Sequence, residues 1–281
     1  MVLVKRRQRL LSGVAGAAVV VMSGLNAPAS AQGVLTWTGF YVGANAGAAW
    51  GRSKVNSAVN CNVPPLGPAG ANYICDTSGA GADDAAALNA SGSGNVNKSG
   101  FTGGVQVGYN WQQNNFLYGI ETDFGAFNVS GSKQGAGVYP GAGASGVLAG
   151  VPYTMSTSAS ADWLYTLRGR IGWLVQPNLL AYATGGLAVT RLQVGFNYSD
   201  TLLASGSGSA SETKAGWAIG GGLEWAFNKH WSIKGEYLYV DFGSVTATGT
   251  IATGGGGYSQ GISTSADLAA SIVRLGVNYK F

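Results

Sequence analysis

Residues 163–175, WLYTLRGRIGWLV, restrict the folds open to this chain more than any other stretch. Trp163, Tyr165, Leu167, Ile171, Trp173 and Val175 recur at every second position, which is the period of a β-strand. The opposite face carries Thr166, Arg168, Arg170 and Gly172, so two guanidinium groups fall in mid-strand behind a broad apolar face. An environment must exist that takes aromatic and aliphatic groups on one side and accepts two arginines on the other.

The rest of the chain repeats the pattern. Alternating segments lie at 38–50, 100–112, 116–129, 162–175, 179–195, 213–227, 231–245 and 267–281, and helical periodicity is almost absent. Each is long enough to cross a bilayer as a tilted strand, which takes about 9–11 residues. Three connections are very short, 112–115 (QQNN), 176–178 (QPN) and 228–230 (NKH), while those at 51–99, 130–161, 196–212 and 246–266 are long and rich in Gly, Ser and Ala. That sorting predicts an all-β fold, an eight-stranded antiparallel transmembrane β-barrel with short periplasmic turns and long extracellular loops. Phe101, Val105, Val107, Tyr109 and Trp111 then face lipid, as do Val273, Leu275, Val277, Tyr279 and Phe281. Trp111, Phe116, Trp173, Trp225, Phe227 and Trp231 form one aromatic girdle near the short turns, and Trp50, Trp163 and Trp217 mark the other. The fifth segment breaks parity between Leu187 and Val189 on one face and Leu192, Val194 and Phe196 on the other, and a bulge near Thr190 or Arg191 would reconcile them.

The chain opens with Lys5, Arg6, Arg7 and Arg9, continues with an apolar stretch over 10–25 and reaches Ala29-Ser30-Ala31, the order of a secretory signal peptide. Cleavage after Ala31 leaves residues 32–281 as the barrel domain. Of the 16 Lys and Arg residues four lie in that leader, so the mature domain has as many bases as its 12 acids and offers no basic stripe for nucleic acid. Cys61 and Cys75 flank a Pro- and Gly-rich stretch, and in an exported protein they are expected to form a disulfide. No further Cys or His stands near them to complete a metal site.

Charges at membrane depth must face the interior and pair. Glu121 and Asp123 on the third strand lie beside Arg168 and Arg170 on the fourth, and Glu224, Lys234, Glu236 and Arg274 join them from the sixth, seventh and eighth. Two readings of this set stay open: an ionic filling, as expected where eight strands leave room only for side chains, or an ion-selective constriction. Gly43, Gly47, Gly104, Gly108, Gly220 and Gly222 on inward faces favour some water-filled space and so the second reading.

Six stretches carry a resemblance: WTGFYVGANAGAAWG (37–51), GGVQVGYNWQ (103–112), GIETDFGAF (119–127), LRGRIGWLV (167–175), LAYATGGLAVT (180–190) and RLGVNYKF (274–281). Together they resemble the small outer-membrane β-barrel proteins of the porin-like, immunogenic surface-antigen and opacity type, similar in architecture to the barrel of outer membrane protein A. The resemblance implies an abundant surface protein of the outer membrane of a Gram-negative bacterium, with a final strand, Val277, Tyr279 and Phe281, that addresses the outer-membrane assembly machinery. The expected function is a structural or surface-interaction role through the loops, with a narrow, low-conductance porin for small solutes as the alternative. The expected partners are outer-membrane lipid and an extracellular ligand, and the protein is read as a monomer without a cofactor. No enzyme is expected, because the only histidine, His230, falls in a short turn where no catalytic geometry can be assembled around it. The acids Asp162, Asp200, Asp241 and Asp267 are read as solvated strand ends.

Overall fold

The computed structural model describes residues 35–61, 71–76, 79–255 and 257–281. The leader read at 1–31 lies outside them. Eight strands follow in order: β1 (Gly39–Asn60), β2 (Gly94–Gln113), β3 (Phe116–Val138), β4 (Pro152–Gln176), β5 (Leu179–Asp200), β6 (Ser205–Ala226), β7 (Trp231–Ala252) and β8 (Tyr258–Lys280). Each pairs antiparallel with the next, and β8 pairs antiparallel with β1, from Tyr41 opposite Lys280 to Asn60 opposite Gly261. The sheet therefore closes on itself and leaves no membrane-exposed edge, a condition that lipid imposes because it cannot satisfy free backbone groups.

The strands are much longer than the alternating segments predict. Most of the residues read as long loops continue the ladder, so that Val138 pairs with Pro152, Ser199 with Ser205 and Ala252 with Ser259. Beyond Trp50, β1 runs on to Asn60, about ten residues or ~30 Å of strand. The reason lies in polarity. Around the lower half the outward face is apolar (Val105, Ile171, Leu223, Leu275) and the inward face polar; above the upper aromatic band the faces exchange character. There Val55, Val129, Met155, Phe196, Val245, Ile251 and Ile262 are buried inside, and Asn56, Ser130, Thr154, Ser158, Asn197 and Thr246 face out. The extracellular half is thus built like a water-soluble barrel, and its small hydroxyl-bearing residues alternate with apolar ones in a pattern that a lipid-facing rule does not find.

The same exchange resolves β5. Its even-numbered residues keep facing inward from Leu180 through Thr190 to Tyr198, with no bulge at Thr190 or Arg191. Leu187 and Val189 face lipid, whereas Leu192, Val194 and Phe196 enter the apolar extracellular core. The bulge sits on the neighbouring strand, where Asp162 and Trp163 of β4 together oppose Arg191 between the pairs Ala161–Leu192 and Leu164–Thr190. A second irregularity interrupts the ladder between β6 and β7 from Ser207–Thr250 to Trp217–Asp241. The Phe196 ring lies behind it, over Gly208 and Gly249.

The extracellular mouth is covered by residues 71–76 and 79–93. A two-residue strand, Ala71–Asn72, adds in parallel to Tyr258–Ser259 of β8, and helix α1 (Ala82–Gly92) places Ala85 and Leu88 in the barrel core. Asp84 accepts from the backbone N–H groups of Gly141 (2.7 Å) and Gly143 (2.8 Å), and Gln260 Oε1 accepts from Ile74 and Cys75. Lys133 Nζ donates to the carbonyls of Ser91 and Ser93 at the C-terminal end of α1, where a cation is favoured. Cys61 and Cys75 are disulfide-bonded, tying the cover to the end of β1.

Two outcomes follow for refolded protein in detergent. Phe196→Ala should cost roughly 3–5 kcal/mol, as for other large-to-small core changes, whereas Asn197→Ala on the outer face stays within about 0.5 kcal/mol; equal unfolding midpoints for the two would contradict an apolar extracellular core. Reduction of Cys61–Cys75 should lower stability by roughly 3 kcal/mol, the value for a loop of about 15 residues, read as a shift of the denaturant midpoint.

Candidate functional site

At mid-barrel the interior holds four acids and four bases. Glu121 and Asp123 come from β3, Arg168 and Arg170 from β4, Glu224 from β6, Lys234 and Glu236 from β7 and Arg274 from β8; all eight are buried. Cross-strand register brings three pairs side by side, Glu121–Arg168, Glu224–Lys234 and Glu236–Arg274. The contacts, however, reach across the lumen. Arg168 Nη2 lies 2.6 Å from Glu121 Oε1 and 2.9 Å from Asp123 Oδ2, while its Nη1 is 3.1 Å from Glu236 Oε1 on β7. Lys234 Nζ donates to both Glu121 oxygens, at 2.9 and 2.8 Å. Arg274 Nη1 is 3.0 Å from Asp123 Oδ1, and its Nε donates to Glu236 Oε2 at 2.6 Å. Arg170 spans from β4 to Glu224 Oε2 on β6, at 2.6 Å. In a ring of eight strands β3 and β7 stand opposite each other, so the Lys234–Glu121 contact crosses the full width of the interior.

Neutral polar groups complete the set, and a search for charge alone misses the two most important. Tyr41 OH donates to Glu121 Oε2 (2.8 Å) and accepts from Arg170 Nη1 (2.7 Å); Tyr182 OH donates to Glu236 Oε1 (2.9 Å), and its ring lies 4.1 Å beneath the Arg170 guanidinium. Tyr41 shares the inward face of Gly43 and Gly47 on β1, but an aromatic near a strand end suits an interfacial girdle equally well. Ser232 and Asn278 donate to Glu224 Oε1 (2.6 and 2.7 Å), and Thr166 accepts from Arg168 Nε at 2.9 Å. With equal numbers of each sign and nearly every oxygen and nitrogen bonded, the cluster carries no net charge.

The inward glycines do not border open space. A Cβ at Gly47 would meet the Val273 carbonyl, and one at Gly220 the Tyr237 carbonyl. At Gly108 it would meet the Tyr41 hydroxyl, and at Gly222 the Gly235 carbonyl and the Tyr182 hydroxyl. These positions are glycine because strands and side chains crowd them, which removes the argument for water that their lack of bulk had seemed to make. Below the cluster the periplasmic mouth is also filled. Trp37 packs against Leu117, Leu174, Leu180, Tyr182 and Ala226, and its Nε1 donates to the Pro177 carbonyl at 3.0 Å.

The remaining singled-out residues lie apart from the cluster. Val277 and Phe281 point outward and are exposed; Tyr279, half-buried, packs its ring 5.1 Å from that of Trp231. His230 is exposed in the β6–β7 turn with Nδ1 2.9 Å from the Lys280 carbonyl, and Lys280 Nζ donates to the Thr36 carbonyl. Asp200 departs from the reading of a solvated strand end. Its Oδ2 accepts from the hydroxyls of Tyr73 (2.6 Å) and Tyr198 (2.8 Å), and its Oδ1 from the N–H groups of Leu202 and Ala204 (2.9 Å each). Burial, reinforced by the Asp200 carboxylate, pushes the Tyr73 hydroxyl to a higher pKa, so it stays a donor.

Comparison with known proteins agrees with this architecture. A family model described as outer membrane protein beta-barrel domain matches residues 17–281. The 31 kDa outer-membrane immunogenic protein of Brucella melitensis biotype 1 is 36% identical over 267 residues, 94% of this chain and 92% of its own. A 22 kDa outer membrane protein of Rhizobium leguminosarum bv. viciae is 29% identical over 182 residues, 65% of this chain and 67% of its own. Among solved structures, the outer membrane protein OprG from Pseudomonas aeruginosa aligns with a TM-score of 0.45 at 13% identity, covering 87% of this chain and 96% of that one.

Arg168→Glu places a fifth acid among three bases and should abolish recovery of folded barrel in refolding assays. Lys234→Met, which leaves Glu121 short of a cation, should cost about 3–5 kcal/mol. Unfolding midpoints in detergent equal to that of the unaltered protein would sink the cluster as a structural element.

Proposed function

We propose that this chain, which belongs to the outer membrane protein beta-barrel domain family, serves as a non-conducting surface barrel whose extracellular half meets the outside world. It is an outer-membrane β-barrel surface protein of a Gram-negative bacterium. The observation that carries the finer reading is that Lys234 and Glu121, from opposite walls, meet with Nζ 2.8 Å from Oε2. A solute passing that level would have to break several charge-assisted bonds at once, and each broken pair leaves buried charge unpaired. Above and below, the apolar extracellular core and Trp37 fill the same axis.

The membrane half then works as an anchor, with lipid around it and the terminal strand residues Val277, Tyr279 and Phe281 as its signal to the assembly machinery. The extracellular half works as a rigid stalk that lifts its tip above the bilayer. The Brucella relative is named as immunogenic, and display of the same kind is proposed here. No oligomer is needed, since the ring closes within one chain.

Refolded protein in a planar bilayer should give no reproducible current steps, and neither should a Trp37→Ala variant, because the ionic cluster remains. Steady steps whose ion selectivity changes with Glu121→Gln would overturn the reading and make the cluster a constriction.

A further inference from the structure

Given the reading of the membrane half as an anchor, we propose that the outward face of β1, where it leaves the membrane, binds an anionic glycolipid of the outer leaflet. Such a ligand carries phosphate or carboxylate on a sugar headgroup, with acyl chains below. Arg52 and Lys54 are its contacts. Both are exposed and share one face of β1, since Ser53 and Val55 beside them are buried. Among the described residues neither has a hydrogen-bond or ion-pair partner. Every other described base above the upper aromatic band is engaged: Lys98 donates to the Asp267 carbonyl, Lys133 to the carbonyls of α1 and Arg191 to Ser211, and Lys214 lies 3.1 Å from Glu212. Two free cations on one strand face are therefore particular to β1.

Height selects the kind of ligand. Trp50 belongs to the outer aromatic band, and Arg52 and Lys54 follow it on the same strand face, roughly 7 and 13 Å further along. With a strand tilt of about 40° they stand roughly 5 and 10 Å above that band. The headgroup layer is about 5–7 Å deep on each side of the hydrocarbon. A phospholipid phosphate at that level reaches Arg52 alone, whereas a sugar headgroup that carries an anion reaches both. Asn97 pairs with Arg52 and Asn95 with Lys54, and both amides are exposed, so β2 adds groups that hydrogen-bond sugar hydroxyls. On the other side Asp267 of β8, whose carbonyl accepts from Ser53, is exposed and ion-paired to neither base. Two bases against one acid leave the face net positive, and a guanidinium grips phosphate or carboxylate through paired N–H groups.

Below the pair the same face of β1 is a furrow. Ala44, Ala46 and Ala48 are exposed on its floor. Phe101 and Val105 of β2 border it on one side, opposite Ala48 and Ala44, and Val273, Leu275 and Val277 of β8 on the other, opposite all three alanines. Toward the periplasmic end it opens into a depression between Val42, Val107, Phe124 and Tyr279. An acyl chain laid along these alanines keeps its headgroup beside Arg52, so cations and furrow are used by one molecule. A soluble polyanion would use the bases and leave the furrow empty, and an acidic protein surface would have to enter the headgroup layer to reach Arg52.

The test titrates the full mature chain, folded in detergent, with bisphosphorylated lipid A, dephosphorylated lipid A, phosphatidylglycerol and inorganic phosphate, and reads bound lipid by native mass spectrometry. Bisphosphorylated lipid A should bind at least tenfold more tightly than each of the other three. Arg52→Gln/Lys54→Gln should lower that affinity at least tenfold with an unchanged melting temperature, and Arg191→Gln/Lys214→Gln, which removes as much charge from the other side of the barrel, should not lower it. Equal affinity for phosphatidylglycerol, equal affinity for free phosphate, or the same loss in both double variants overturns the proposal. Ala46→Phe fills the furrow and keeps both bases; binding of lipid A unaffected by it overturns the acyl seat. A heparin fragment whose binding is lost in Arg52→Gln/Lys54→Gln while that of lipid A is not would assign the pair to a soluble polyanion and overturn the lipid reading. None of these outcomes depends on whether the barrel conducts, so their failure leaves the non-conducting reading standing.

Discussion

Everything in this barrel depends on bringing four acids and four bases into one neutral set at mid-membrane. A buried ion pair is weak evidence of stability, since its Coulombic gain is largely offset by desolvation. What it supplies here is register. A one-residue slip of β4 would turn Arg168 and Arg170 out to lipid, where each would cost about 2–4 kcal/mol near the midplane, and would strip counter-charges from Glu121, Asp123, Glu224 and Glu236. Because Arg168 binds β3 and β7 while Lys234 binds β3 from β7, the penalty is shared around the ring. None of the five strands that carry these charges can slip without unpairing charges on strands it does not touch.

The second constraint is the change of solvent along each strand. One continuous ladder crosses from hydrocarbon into water, and in β5 parity is kept while polarity exchanges: Tyr182 and Thr184 face inward among charges, and Phe196 and Tyr198, on the same face of the same strand, lie among apolar side chains. In lipid the outside can be apolar and the inside must satisfy itself; in water the hydrophobic effect returns and fills the inside. The bulges at Asp162–Trp163 and Phe242–Gly243 lie near the change, where β4 and β7 reverse which residues point inward. Such insertions let each strand present a favourable face to both solvents.

This exchange also explains what could be read from residues alone. The eight segments, the girdles and the eight charged residues of the interior were legible because lipid imposes a strict alternation on Val105, Ile171 and Leu275 and confines charge to the other face. The extracellular strands were not, because Ser, Thr, Gly and Ala on their outer faces have the composition of loops, and the alternation of Tyr153, Met155, Thr157 and Ala159 against Thr154, Ser156 and Ser158 is faint to a rule that seeks lipid contact. Tyr41 and Tyr182 were hidden by their chemistry, since a tyrosine suits an interfacial girdle as well as a hydrogen-bonded interior. The glycines misled for a related reason: absence of a side chain signals either space or crowding, and only neighbouring strands decide between them.

With an ionic cluster at mid-membrane and an apolar core above it, the fold puts its remaining order at the far end. The cover formed by residues 71–76 and 79–93 is fastened by a disulfide, by Asp84, by Gln260 and by the Tyr73–Asp200 bond. Fastenings of that density are not needed merely to keep water from an apolar core, which small polar turns would do. They hold the tip in one geometry, and an ordered surface forfeits less entropy on binding than a mobile loop. Asp200 joins the two roles. The carboxylate that receives Tyr73 from the cover also sets the β5–β6 turn through the N–H groups of Leu202 and Ala204, so the closure of the barrel and the geometry of that turn are fixed by one side chain.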